Sequence, residues 1–523
     1  MTDDGFTLPV PYNLAVDFVD RHLAEGRGGK VAIRTEGRAL TYAEVAALVN
    51  RVASGLRSLG IEEEQRTLLL LPDSPEFAAA YFGTIKMGGV AIPTNTALRG
   101  PDYAYFLDES RARVLFVHSS LWPEVEPVLR GRPYLKHVIV TGEARPGAMF
   151  WDTWLKDQPE EAEAADTHPD DVAFWLWTSG STGQPKGAVH LHQDWTWCCR
   201  NYARGVLDIA ESDVTFSSSK LFHAYGLGNA LLFPFSAGAT TVLHPGKPRP
   251  ADLLRIAQAE KPSIFYSVPT LYAMMLQETE DENPYDLSSV RIGVSAAEPL
   301  AADIFRRWKD RFGFEVLDGI GSTEVLHIYV SPRAGEVKPG STGKPVPGYE
   351  VKITDEHGEA LGTGEVGDLW VRGPSSAPYY WKRRALTRDR MRGEWFFTGD
   401  KYYVDDDGYL WYAGRSDDMF RTSGQWVSPN EVESTLIEHP AVLEAAVVPF
   451  VTDERLTKPE AYVIVAKGHE ASDDLAAELQ TFVKEKITPY KYPRRIHFVE
   501  SLPKTAAGKI QRFKLRGDAG AEG

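Results

Sequence analysis

Between residues 66 and 140 strand-like and helix-like runs alternate: 66–71, 76–87, 91–93, 114–117 and 138–140. Short apolar strands separated by amphipathic stretches cannot pair as hairpins, so this rhythm predicts α/β layers built on largely parallel sheets. Residues 40–60 form the clearest single helix. Thr41 stands as its N-cap, Glu44 follows three residues later, and apolar residues recur at helical spacing. Further strands are expected at Val242, Ile264, Ile292 and Val316, each followed by a helix. From about Ser331 the texture changes to short strands (350–353, 367–372, 408–412) broken by Gly, Pro and Asp turns, which predicts a β-barrel-like unit over 331–413.

The chain has 523 residues, more than one ordinary core holds. The clearest break is Gly414-Arg-Ser-Asp-Asp418. Beyond it lie a helix from Asn430, strands at 443–449 and 461–466, a helix at 471–486 and a strand at 495–498, which read as a small α+β domain. Hydrophobic and charged fractions of 43% and 25% are ordinary for a globular chain. A net charge of −16 argues against nucleic acid or an anionic membrane as general partners. The two cysteines, Cys198 and Cys199, are too few for a disulfide framework and have no partner at zinc-ligand spacing. The acidic start predicts no secretory leader, no run reaches the ~20 apolar residues of a membrane span, and a reducing cytoplasm fits.

The chemistry is announced by Thr178-Ser-Gly-Ser-Thr-Gly-Gln-Pro-Lys-Gly187, which follows the apolar run 172–177. Glycines let backbone N–H groups converge on an anion, and the hydroxyls of Thr178, Ser179, Ser181 and Thr182 add donors around Gly180 and Gly183. Lys186 supplies the charge a polyphosphate needs. The pattern is not G-x-x-x-x-G-K-[ST], because Pro185 precedes the lysine and Gly187 follows it. The next residues, 188–192, read as a strand, so no helix dipole is expected behind this phosphate loop.

Five further motifs follow in order: Phe222-His-Ala-Tyr-Gly-Leu-Gly228, Asp318-Gly-Ile-Gly-Ser-Thr-Glu324, Trp395-Phe-Phe-Thr-Gly-Asp400, Gly414-Arg-Ser-Asp-Asp418 and Pro503-Lys-Thr-Ala-Ala-Gly-Lys509. With the phosphate loop they resemble the adenylate-forming superfamily of acyl- and aryl-CoA ligases, peptide-synthetase adenylation domains and firefly-type luciferases. The resemblance implies a large N-terminal domain (1–416) and a small mobile C-terminal lid (417–523) that rotates about a hinge at Asp417. It also implies ATP, Mg²⁺ and coenzyme A as cofactors and co-substrates, and a monomer or homodimer.

The same resemblance distributes roles. Lys509 matches the lysine that bridges the carboxylate and the α-phosphate, with Lys504 expected to be a solvated neighbour. Glu324 matches the carboxylate that holds Mg²⁺, and Thr323 a donor to the α-phosphate. Asp400 matches the acceptor of ribose hydroxyls, and Arg415 a ribose or phosphate contact. Ala297, Glu298 and Pro299 resemble the segment that stacks on adenine. Asp318 stands where an acceptor takes the N6 amine, and Ile320 lies on the ring face where tyrosine is common. Ser423 and Gly424 belong to the loop that lines the pantetheine tunnel. Lys491 and Arg494 read equally as contacts to CoA phosphates and as solvated charge.

The acyl pocket of the superfamily is lined here by His223, Ala224, Tyr225, Gly226, Ser295, Ala296, Gly321, Val325, Leu326 and His327, with Ile328 beyond. The segments 220–229, 321–328 and 343–350 resemble benzoate-CoA ligases and their hydroxybenzoate relatives, which implies a small aromatic carboxylic acid: benzoate, 2-aminobenzoate or a hydroxybenzoate. His223 departs from a phenylalanine in that pattern and stands either as a partner for a ring substituent or as a gating aromatic. Two alternatives stay open: a stand-alone aryl-adenylating enzyme that loads a carrier protein, and an inactive nucleotide-binding regulator.

Overall fold

The computed structural model describes residues 5–178, 184–279, 283–416, 418–422, 425–452, 456–504 and 510–516. Two large sheets dominate. The first runs, in spatial order, Tyr379–Tyr380, Lys186–Leu191, Val172–Thr178, Val90–Pro93, Arg66–Leu70, Val114–His118, His137–Thr141 and Met149–Phe150. Its first two junctions are antiparallel and the rest parallel. The second runs Val316–Asp318, Ile292–Ser295, Ile264–Ser267, Val214–Ser217, Thr240–Val242, Val31–Thr35 and Arg38–Thr41, parallel until the last hairpin. Side chains of both sheets, among them Leu69, Phe116 and Phe174 of the first and Ile33, Ile264 and Val294 of the second, share one buried core.

The helix Tyr42–Ser58 starts where local chemistry demands. Thr41 is extended, its Oγ1 accepts the Glu44 N–H, and the Glu44 carboxylate reaches back to the Thr41 N–H, so two orphan donors are satisfied together. One expectation fails. The strand Val316–Asp318 is followed not by a helix but by the two-residue strand Ile320–Gly321 and a 3₁₀ turn, Thr323–Val325. Gly321 explains why: a side chain there would stand 2.6 Å from the His327 carbonyl oxygen, so the chain doubles back tightly instead of leaving the sheet as a helix.

The unit read as barrel-like is an antiparallel sheet of five strands, Glu350–Thr354, Gly367–Arg372, Trp395–Val404, Met391–Arg392 and Leu410–Arg415. Beyond it, the helices Pro429–Ile437 and Asp473–Lys486 pack on the sheet Val442–Val451, Thr457–Val465 and Arg495–Phe498 around a core of their own, centred on Val432, Leu436, Val447, Ala461 and Leu479. No helix among the described residues is long and apolar enough to cross a membrane.

Candidate functional site

The strand Val172–Thr178 pairs antiparallel with Lys186–Leu191, and the register sets Thr178 opposite Lys186. Thr178 and Lys186 thus stand side by side at the ends of the two paired strands. Ser179, Gly180, Ser181, Thr182 and Gly183 lie outside the described residues. The second strand begins at Lys186 itself, two residues ahead of the start read from the sequence. Because strand side chains alternate, Lys186, Ala188 and His190 project from one face. Tyr379–Tyr380 adds to this strand as the sheet edge, with Tyr380 paired to Ala188.

That register assembles a cluster. Lys186 Nζ stands 3.9 Å from Glu324 Oε1 and 4.3 Å from the centre of the Tyr380 ring. The Tyr380 hydroxyl donates to the same Glu324 oxygen at 2.7 Å. Burial lowers the Lys186 pKa, Glu324 pulls it back, and Arg390 and Arg415 add to the lowering. Lys186 thus faces a buried carboxylate with two further cations near enough to repel it, and an incoming polyanion would relieve that repulsion.

Glu324 is held by its backbone as firmly as by its side chain. Ser322 Oγ accepts the Val325 N–H at 3.3 Å and caps the turn. The three carbonyls of the turn each accept a bond: Thr323 O from His190 Nε2 at 2.8 Å, Glu324 O from the Ala377 N–H at 2.7 Å, and Val325 O from Ser375 Oγ at 2.8 Å. Leu326 then takes φ 75°, a strained backbone for a branched residue that the packed surroundings must hold in place. Val325 and Leu326 themselves are closed off from solvent.

The proposed adenine residues collect at the ends of neighbouring parallel strands, where such sheets offer a ligand crevice. Ser295 is paired with Asp318 across the two strands. Asp318 Oδ2 accepts the Leu300 N–H at 3.2 Å, and burial pushes its carboxyl up to about 7. Ala297 is exposed with φ 79°, and Glu298 Oε2 accepts from Thr270 Oγ1 at 3.1 Å, with Pro299 following. Ile320 is half-buried beside them. On the five-stranded sheet Asp400 and Arg415 are directly opposite, with Arg415 Nη1 donating to Asp400 Oδ1 at 3.1 Å.

The segment around Phe222–Gly228 is packed against His327. The Tyr225 hydroxyl donates to Ser267 O and Val294 O at 3.1 and 3.0 Å, so its ring is fixed across the ends of two strands. His327 bonds the Tyr225 carbonyl at 3.3 Å and packs on Phe233, Tyr202 and Tyr225, and burial pushes its pKa down to about 3, which keeps it neutral. Gly228 permits this contact: a Cβ there would lie 2.5 Å from His327 Cδ2. Likewise a Cβ on Gly226 would lie 2.2 Å from Lys220 O. His223 stands at the N-cap position of the short helix Ala224–Leu227, its ring 4.5 Å from that of Phe222, and Ala224 and Ala296 are both buried.

Lys509, Asp417, Ser423 and Gly424 lie outside the described residues. Their neighbours are paired. Lys504 is no solvated lysine, since its Nζ is 2.8 Å from Glu444. Lys491 is bound to Glu431 at 2.6 Å, and the Arg494 guanidinium lies 3.6 Å from the Tyr492 ring centre. Asp418 meets Arg512 at 3.3 Å and Arg516 at 2.6 Å. Tyr380, His190 and Arg390 were not singled out from the sequence. Tyr380 reaches Glu324 only because a remote edge strand finds Lys186–Leu191, and no local pattern shows that pairing.

The family model described as AMP-binding enzyme matches residues 20–381, and the one described as AMP-binding enzyme C-terminal domain matches residues 431–509. The chain is 48% identical over 517 residues to a benzoate–CoA ligase of Thauera aromatica, covering 98% of each. It is 41% identical to a 4-hydroxybenzoate–CoA/benzoate–CoA ligase of Rhodopseudomonas palustris, covering 97% of this chain and 94% of the relative. Among solved structures, the anthranilate CoA ligase AuaEII in complex with anthranoyl-AMP superposes with a TM-score of 0.94 at 43% identity, covering 97% of each chain. A benzoate CoA ligase from Burkholderia xenovorans LB400 superposes with a TM-score of 0.89 at 43% identity, covering 97% of this chain and 100% of that one.

Proposed function

The chain belongs to the AMP-binding enzyme family, and from that premise we propose that it is an ATP-dependent aryl-CoA ligase acting on benzoate or a small ring-substituted benzoate. The carboxylate attacks the α-phosphate of ATP to give aryl-AMP and pyrophosphate, and the thiol of coenzyme A then displaces AMP to give aryl-CoA. The observation that carries this reading is Lys186 facing the buried Glu324 carboxylate, with Arg390 and Arg415 near enough to Lys186 to repel it, while His327, three residues after Glu324, packs on the aromatic-walled segment Phe222–Gly228.

Preorganised cations stabilise charge that develops at the α-phosphate, and they need no rearrangement at the moment of reaction. In this reading Lys186 and the hairpin residues 178–183 receive the polyphosphate, Thr323 donates to the α-phosphate, and Lys509 bridges it to the carboxylate. Adenine lies against Ala297–Pro299 and Ile320 with Asp318 at its amine, and Asp400 and Arg415 hold the ribose. The acid sits among His223, Ala224, Tyr225, Gly226, Ser295, Ala296, Gly321, Val325, Leu326 and His327. The donor set fits Mg²⁺: a hard dication on a nucleotide asks for one or two protein carboxylates, and Glu324 is a buried carboxylate aimed by Tyr380. When bound, the ion neutralises phosphate charge. Residues 417–523 are the lid in this reading, turning about Asp417, with Ser423 and Gly424 facing the pantetheine arm.

The test is pyrophosphate exchange without coenzyme A, run with benzoate, 2-aminobenzoate, 2-hydroxybenzoate and 4-hydroxybenzoate. Exchange driven by at least one of these, and by no medium-chain fatty acid to a comparable rate, is expected. Exchange with none overturns the reading.

A further inference from the structure

His190 is buried completely, yet it sits on the same strand face as Lys186 and makes two bonds that have nothing to do with the sheet. Its Nε2 is 2.8 Å from the Thr323 carbonyl oxygen. A carbonyl only accepts, so this nitrogen carries a proton. Its Nδ1 is 2.8 Å from Asp194 Oδ2, and that oxygen also accepts the Leu191 N–H at 3.0 Å. The ring stacks on Phe174 at 5.2 Å with an interplanar angle of 13°, which fixes its rotation. Asp194 is closed off from solvent as well.

We propose that His190, oriented by Asp194 and Phe174, is a positioning residue for adenylation, holding the Thr323–Glu324 peptide so that the Thr323 side chain and the Glu324 carboxylate face the phosphates. This rests on the ligase reading for the identity of the reaction, but the geometry is independent of the substrate. Four residues apart on one strand, Lys186 touches the Glu324 side chain and His190 the backbone just before it. The strand that closes the phosphate loop therefore also sets the orientation of the carboxylate on the other side of the nucleotide. Ala377 and Ser375 hold the next two carbonyls, but both come from a segment after residue 370, whereas His190 holds the backbone of this turn from the hairpin strand.

Two variants separate positioning from simple packing, because glutamine and asparagine amides reproduce different ring nitrogens. His190→Gln places an N–H where Nε2 stood, keeping the bond to Thr323 O and losing the one to Asp194. His190→Asn keeps a donor near Asp194 and abandons Thr323 O. Benzoate-dependent pyrophosphate exchange, its half-saturating Mg²⁺ concentration and the thermal midpoint are measured for both beside wild type. The proposal predicts that the Asn variant loses about tenfold to a hundredfold in exchange rate, as removal of such outer-shell partners does, with half-saturating Mg²⁺ raised. The Gln variant stays within about threefold of wild type although it is the less stable of the two. Rates that follow stability in both variants, or an equal loss in both, overturn it. If the Asn variant does not fold, a loss of about tenfold in the folded Gln variant overturns it on its own. Wild-type protein inactive with every acid would instead refute the ligase reading while leaving the thermal midpoints to report on the two bonds.

Discussion

The Tyr380 hydroxyl decides which way the Glu324 carboxylate points, since it donates to Oε1 from a buried position. Tyr380→Phe leaves that oxygen without its donor, at about 1–3 kcal/mol, while the ring that Lys186 rests on survives. The expected result is roughly a tenfold fall in pyrophosphate exchange with a higher Mg²⁺ requirement, in a protein that still folds at a somewhat lower denaturation midpoint. An exchange rate and Mg²⁺ titration equal to wild type would show that Glu324 is aimed by something else. Asp318 supports a pH prediction. Burial raises its folded-state pKa to about 7 from an ordinary carboxylate value. The folded protein then holds a proton that the unfolded chain has released, so this group's contribution is full at low pH and is lost as pH rises through about 7, at up to about 1.4 kcal/mol per unit. Denaturant unfolding between pH 4 and 8 should show Asp318→Asn gaining stability relative to wild type as pH rises; parallel curves would mean that Asp318 ionises normally.

Elements made of local chemistry were legible, and elements made of remote contact were not. The helix Tyr42–Ser58 could be read from Thr41 and Glu44 because capping is a matter of three residues. The strands at 66–71 and 114–117 could be read from the apolar runs 68–71 and 114–117. The stretch after Val316–Asp318 could not, because its shape depends on Gly321 passing close to the His327 backbone, a contact invisible to periodicity. In the site, motif residues such as Lys186, Glu324, Asp400 and Arg415 could be named in advance, and the structure puts Lys186 with Glu324 and Asp400 with Arg415. Tyr380, Arg390 and His190 could not be named, since each acts across a strand pairing or a tertiary contact. Glycine spacing in Phe222–Gly228 carries its own test. Gly228→Ala pushes a methyl against a His327 ring already wedged between Phe233, Tyr202 and Tyr225. Overpacking of this kind costs about 1–3 kcal/mol, visible as a lower denaturation midpoint, and should weaken binding of the aromatic acid more than that of ATP. A variant as stable as wild type would mean that the helix can shift freely.

Across the whole molecule, the proposed lid keeps its own core, while Asp418 is tied by ion pairs to Arg512 and Arg516 of the C-terminal segment. Rotation at Asp417 would carry that network with the lid. A lysine on a moving lid serves only the pose in which it enters the site, so Lys509→Ala should lower aryl-AMP formation by about 10²–10³ and largely spare thiolation of preformed aryl-AMP. Asp417→Pro should do the reverse, because proline fixes φ and blocks the turn the lid must make. Equal losses in both half-reactions for either variant would remove the two-pose account. The most direct measurement of the central claim is the product balance of a single incubation of the protein with ATP, Mg²⁺ and benzoate or a ring-substituted benzoate, with and without coenzyme A. The account predicts bound aryl-AMP and little free AMP without coenzyme A, and one AMP released per aryl-CoA formed when it is added. AMP release that ignores coenzyme A, with no thioester detected for any of the aromatic acids, would contradict it.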